Sequence, residues 1–257
     1  MDLYKFPTPL VRAQVLHRPS TVIKSPYVAD IRLEDGTTAL CHTPGLGCCG
    51  MVAPGRVIYV TKSSGSGKTA WTAQVAECTD RSGTYFVGIN PMVCQHAAAK
   101  LLPLINADPD IVWKSEVSLP SGGVRLDYVG SRDRGDKMYV EVKTAMISQE
   151  SERRDTRRAI FPEGFRKHRD DPVSPRAIKH AKHLGDLAAG GDTAVLMFIV
   201  PRTDCGDGME PSRGDPAYCT AVRESVRKGM IVRTFALDFD IVHGTVKLAR
   251  ELPFYLS

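Results

Sequence analysis

The sequence contains no Cys-x-x-Cys pair, no long apolar run and no pronounced excess of charge of either sign. Its seven cysteines are odd in number and scattered, with only Cys48 and Cys49 adjacent. That spacing builds neither a disulfide framework nor a zinc site, and it suits a reducing compartment. No apolar stretch approaches the length of a membrane-spanning helix, so no membrane partner is expected. Residues 1–20 include Pro7, Pro9 and Pro19 but no apolar core of a secretory signal, and a cytoplasmic protein is expected. Lys and Arg outnumber Asp and Glu only 34 to 29, for a net charge of +5. This is a mild lean towards polyanionic partners and does not establish one.

What is present is an ordinary folded composition, 42% hydrophobic and 25% charged, which excludes wholesale disorder. The length of 257 residues suits one large domain or two modest ones. The first third reads as short strands with turn residues between them. Residues 27–33 alternate, Glu34-Asp35-Gly36 turns the chain into 37–42, and Pro54-Gly55 precedes 56–60. Residues 71–78 and 85–89 complete about five strands, the pattern of a small barrel, of which the OB-fold is one common form. Asn90 caps a helix that begins at Pro91 and runs to about Leu104.

A cluster of Asn, Asp and Pro at 106–110 marks a boundary, giving an OB-like domain over 1–106 with a closing helix and a second domain over 107–257. The second part reads as strands at 112–119, 124–130 and 137–147, a helix at 176–189 and a fully buried strand at 194–200. A helix at 216–228 and a strand at 231–237 follow. Hairpins followed by alternating helix and strand predict a mixed sheet flanked by helices, and an α+β chain overall. Between 149 and 175, bases such as Arg153, Arg154, Arg157 and Arg158 are nearly balanced by acids. This stretch reads as a solvated loop, with a DNA-contacting arm as the alternative.

One constellation could do chemistry. Asp127 lies in one predicted strand, and Glu141 and Lys143 lie in the next. Strand side chains alternate faces, so Glu141 and Lys143 point one way while Val140 and Val142 point the other. A hairpin between the strands would bring Asp127 to the same polar face. Ionisable groups gathered among apolar neighbours are costly unless they pair or bind a metal. Two carboxylates can hold Mg²⁺, which would activate water for attack on a phosphodiester, with Lys143 orienting that water. The competing reading is an ordinary Glu and Lys on the wet face of an antiparallel strand.

Other features are weaker. Ser63 to Thr69 invites a phosphate-loop reading, but the pattern needs Gly five positions before Gly67, where Lys62 stands. Trp71, Tyr85 and Phe86 could stack bases or simply fill the core. His180 and His183 read first as helix residues.

Taken in order, the landmarks resemble the sugar fermentation stimulation protein (SfsA) family. They are Arg18-Pro19-Ser20, Asp35-Gly36, His42-Thr43-Pro44-Gly45, Pro54-Gly55 and Gly88-Ile89-Asn90. They continue with Lys114-Ser115-Glu116-Val117, Val124-Arg125-Leu126-Asp127-Tyr128 and Tyr139 to Thr144. Phe161-Pro162-Glu163-Gly164 and the run from Ser174 to His180 close the set. Gly45 departs from the family's Asn, Leu46-Gly47-Cys48-Cys49 is unlike the family sequence, and extra residues at 165–172 precede Arg176.

The resemblance implies an OB-like β-barrel domain followed by a mixed-sheet PD-(D/E)xK nuclease-like domain that binds DNA. It makes Asp127, Glu141 and Lys143 the catalytic set, with Asp127 and Glu141 as metal carboxylates for Mg²⁺ or Mn²⁺ and Glu116 as a third, or as a carboxylate that supports them. Arg176, Lys179 and His180 would line the phosphate side, and Arg18 and Arg125, inside matched motifs, join the nucleic-acid-binding set. The expected function is a metal-dependent phosphodiesterase acting on DNA, or on RNA. The alternative is a regulatory DNA-binding protein that keeps the nuclease fold without cleaving.

Overall fold

The structure, a computed structural model, describes residues 1–257 apart from 66, 120–122, 133, 134, 136, 150, 163, 165–167, 169, 170 and 257. After a short strand β1 (Asp2–Lys5), the chain lays down β2 (Val11–His17), β3 (Val28–Leu33), β4 (Thr38–His42), β5 (Val57–Lys62), β6 (Trp71–Asp80) and β7 (Gly83–Gly88). The β3–β4 turn takes Gly36 at φ 84°, a left-handed conformation open to glycine, and Asp35 accepts from the Thr37 amide at 2.9 Å. Strands β2 to β7 pair in the order β4-β3-β2-β5-β6-β7. A parallel pairing of Cys41 with Trp71 and His42 with Thr72 joins β4 to β6 and closes five of them into a ring. Small and branched side chains fill it, among them Val15, Ile31, Cys41, Ile58, Val60 and Ala73.

The helix α1 (Pro91–Ile105) begins where the sequence signals it: the Asn90 side chain accepts from the Met92 amide at 3.0 Å and Pro91 occupies the first turn. Its buried stripe, Val93, Cys94, Ala97, Ala98, Leu101 and Leu102, packs on one face of a second, seven-stranded sheet. That sheet contains β8 (Val112–Ser118), β9 (Arg125–Ser131) and β10 (Lys137–Thr144), and then β13 (Thr193–Val200), β15 (Ile231–Asp240) and β16 (Thr245–Glu251). The order is β1-β16-β15-β13-β10-β9-β8, with β10–β13 and β13–β15 parallel and the other pairs antiparallel.

The central strand β13 shows why its run is unbroken in apolar character. Val195, Met197 and Ile199 face the α1 side, while Leu196, Phe198 and Val200 face the helices α2 (Pro175–Ala189) and α3 (Pro216–Arg227). These two helices approach closely at Gly185, where an added Cβ would lie 2.8 Å from Ser225 Cβ. A small third sheet, β11 (Ile147–Ser148), β12 (Arg158–Phe161) and β14 (Gly208–Pro211), lies beside them.

The fold is thus mixed α+β and sheet-dominated, with three α-helices among the described residues. The expected strand 137–147 stops at Thr144, and β11 starts a new sheet at Ile147. The first strand pairs with β16 and not with the ring, tied by Phe6 N to Gly244 O at 2.9 Å.

The expectation of a solvated loop over 149–175 needs correction for its described part. That segment holds β12 and a short 3₁₀ turn, Arg154–Thr156. Arg157 is 2% exposed, and its guanidinium reaches Asp204 and, at 2.8 Å, Asp80. The balance of charges there reflects pairing with acids distant in sequence. Tyr85, a candidate stacking platform, lies beneath the guanidinium groups of Arg157 and Arg202, at 5.5 and 5.2 Å. The loop after β5 leads into strand β6 and not into a helix, so a phosphate loop lacks its helix N-terminus. Among the described residues no disulfide forms and no helix is long and apolar enough to cross a membrane.

Candidate active site

Strand register gathers the candidate residues. Strands β8 and β9 pair Ser115 with Tyr128 and Val117 with Leu126, so Glu116 lies opposite Asp127. Strands β9 and β10 pair Tyr128 with Val140, and one step further the ladder brings Glu141 alongside Asp127. Three carboxylate-bearing positions therefore lie in a row across three neighbouring strands, an arrangement that repulsion disfavours. Glu116 adopts a left-handed backbone, φ 56°, uncommon for a residue with a side chain.

Asp127 is half-buried and its Oδ2 accepts from the Val142 amide at 2.7 Å. Burial, and then the charge of Glu141, push its carboxyl above the ordinary aspartate range, against the Val142 amide and Lys143. Glu141 is 2% exposed. Burial alone would raise it too, but hydrogen bonds from His180 and Lys143 outweigh burial and hold it below the ordinary range. Lys143 Nζ donates to Glu141 Oε1, and His180 Nδ1 contacts the same oxygen. Glu141 Oε2 is buried with no hydrogen-bond partner. Two neighbouring carboxylates are thus pushed in opposite directions.

The other expected residues divide. Glu116 is half-exposed and pairs with Arg125 at 2.7 Å, and among the described residues no group of three or more His, Cys, Asp or Glu is arranged to hold a metal. Arg176 and Lys179 are exposed on the first turn of α2, with Lys179 Nζ 3.4 Å from the Gly123 carbonyl. His180 does not share that outward face. One turn from Arg176, it points inward, 4% exposed, and its ring contacts Glu141. Arg18 lies between β2 and β3, where it donates to the carbonyls of Pro26 and Gly45 at 2.8 and 2.6 Å.

Sequence reasoning missed Tyr218. This α3 residue is fully buried, its hydroxyl has no hydrogen-bond partner, and the Glu141 charge acts on it. Nothing in the local sequence marks it, because the contact depends on how α3 packs.

Residues 90–242, which include β9, β10 and the first turn of α2, match the family described as the sugar fermentation stimulation protein RE domain. The chain belongs to the SfsA family. A sugar fermentation stimulation protein homolog of Geobacter sp. (strain M21) is 30% identical over 98% of this chain and 100% of its own length. A homolog from Alteromonas mediterranea is 28% identical over the same shares. The structure of Pyrococcus furiosus SfsA in complex with Ca²⁺ matches with a TM-score of 0.76, covering 99% of both chains at 24% identity. This likeness establishes a shared SfsA fold.

Proposed function

We propose that this SfsA-family chain is a divalent-metal-dependent phosphodiesterase that binds and cleaves DNA, with RNA as the competing substrate. The ring of β2 to β6 acts as an OB-type barrel. The β9–β10 pair, carrying Asp127 and then Glu141-Val142-Lys143, acts as a PD-(D/E)xK nuclease core. One observation carries the reading: Glu141 Oε2 is buried without a partner beside the half-buried Asp127 carboxylate. A buried carboxylate oxygen without a donor is costly, and a divalent cation would satisfy Glu141 Oε2 and the Asp127 carboxylate together.

Hard oxygen donors fit Mg²⁺ or Mn²⁺, and the Ca²⁺ in the P. furiosus SfsA structure is of the same oxygen-seeking class. Asp127 and Glu141 would hold the ion. When bound, it lowers the pKa of coordinated water and neutralises charge developing at phosphorus. Lys143 gives one N–H to Glu141 Oε1 and retains donors that orient the attacking water. Arg125, Arg176 and Lys179 form the exposed basic rim that meets the phosphate backbone.

A second reading, a DNA-binding protein that retains this fold without cleaving, is favoured by the lack of a three-donor metal group among the described residues. Incubation with labelled single- and double-stranded DNA and RNA, with and without Mg²⁺ or Mn²⁺, separates the two. The nuclease reading expects cleavage only with metal, and firm metal-independent binding without cleavage would transfer the assignment to the second reading.

A further inference from the structure

Glu141 offers its two oxygens unequally. Oε1 takes both Lys143 Nζ and His180 Nδ1, while Oε2 takes nothing. On the other side of the imidazole, Arg176 Nε lies 3.4 Å from His180 Nε2. A guanidinium N–H can only donate, so Nε2 must present its lone pair, and the ring proton then lies on Nδ1, aimed at Glu141. The ring is 4% exposed and flanked on its helix by the buried Ala177, Ala181 and Leu184, which limit its rotation.

We propose that His180, held in its Nδ1–H tautomer by Arg176, is a positioning residue that clamps Glu141 Oε1 and so turns Oε2 towards the divalent cation. The proposal rests on the reading of Asp127 and Glu141 as the cation's ligands. It gives His180 a role different from phosphate contact, and it gives Arg176 a second one. A hydrogen bond that fixes one oxygen restricts rotation of the carboxylate about its Cγ–Cδ bond, so the unfilled oxygen is presented before the cation arrives. Partners of this kind, lying outside a metal's own ligands, orient them and raise affinity.

The test is divalent-cation binding by calorimetry, with Mn²⁺ and Ca²⁺ as probes and no nucleic acid present. The amide nitrogen of asparagine falls near the place of a histidine Nδ1, whereas that of glutamine falls near Nε2. His180→Ala is expected to weaken binding about 10- to 100-fold, and His180→Asn to keep it within about threefold of the wild type. Should His180→Ala fail to fold, as judged by circular dichroism, His180→Gln replaces it, with the same loss expected. Wild-type affinity in the Ala or Gln variant would overturn the proposal while leaving the metal site standing. So would His180→Asn binding as poorly as His180→Ala. If the wild-type protein bound neither cation, the metal site itself would fail and the proposal with it.

Discussion

Asp127 accepts a hydrogen bond from the backbone of Val142 at 2.7 Å, which brings its carboxylate beside Glu141, the residue before. The cost of placing two carboxylates together falls on Asp127, whose carboxyl is raised by burial and by the Glu141 charge, so its ionisation gives up stability.

Asp127→Asn should therefore stabilise the protein while abolishing cleavage. Burial and Glu141 raise the folded-state pKa of Asp127, so its ionisation opposes folding once pH exceeds the unfolded value. Asparagine keeps the acceptor for Val142 and removes the charge. The melting temperature at neutral pH should rise by about 2–4 °C, the size expected of roughly 1 kcal/mol in a chain of this length. Because Asp127 becomes neutral on its own in acid, the gain should shrink as pH falls. A lower melting temperature at neutral pH would contradict this account of the site.

Glu141→Gln should act with the opposite sign. The folded-state pKa of Glu141 is lowered, so its charge contributes stability that is present above the unfolded pKa and lost as pH falls through the folded one. Replacing it leaves the half-buried Lys143 beside a neutral amide. Urea denaturation at neutral pH should show a loss of about 1–3 kcal/mol, converging with the wild type in acid.

Nucleic-acid affinity should fall steeply with salt, and charge reversal at Arg176 and Lys179 should flatten that dependence. Each lost phosphate contact removes about 0.9 from the slope of log affinity against log salt on duplex DNA. The same change at Arg153 and Arg154 should have less effect, because Arg153 pairs with Asp155 at 2.5 Å and Arg154 donates to the Thr84 carbonyl at 2.6 Å. Equal effects from both pairs would place the interface elsewhere.

Arg157→Met should destabilise the whole chain by about 3 kcal/mol, measured by urea denaturation, since removing one member of a buried ion pair leaves its partner uncompensated. Arg157 joins Asp80, at the end of β6 in the ring of strands, to Asp204, which follows β13 of the large sheet. A cost below about 0.5 kcal/mol, the level of a surface change, would show that this contact does not bind the two together.

Much of this was legible from local pattern. The apolar run of β13, the Asn90-Pro91 helix start and the alternation around Glu141 and Lys143 each carry their own signal, and each element forms near its expected place. Strands β2 and β16, seven residues each, went unrecognised, as did β1, β12 and β14, which are short and where pairing rather than periodicity makes the strand. The inward turn of His180 was not legible, because its helix exposes Arg176 and Lys179 while burying the very next residue, and only the sheet beneath decides what that residue meets. The burial of Arg157 was equally hidden, since its acids stand at 80 and 204.

The central claim is tested most directly by one cleavage assay on wild type, Asp127→Asn, Glu141→Gln and Lys143→Ala, purified in parallel, with Mg²⁺ or Mn²⁺ added. The account predicts metal-dependent cleavage by the wild type and its near-complete loss in both carboxylate variants. In Lys143→Ala the rate should drop by about 10²–10⁴-fold, the usual worth of a positioned acid–base group, with DNA binding nearly retained. Undiminished cleavage in all three variants would contradict the account, because the activity would then belong to other residues or to another protein.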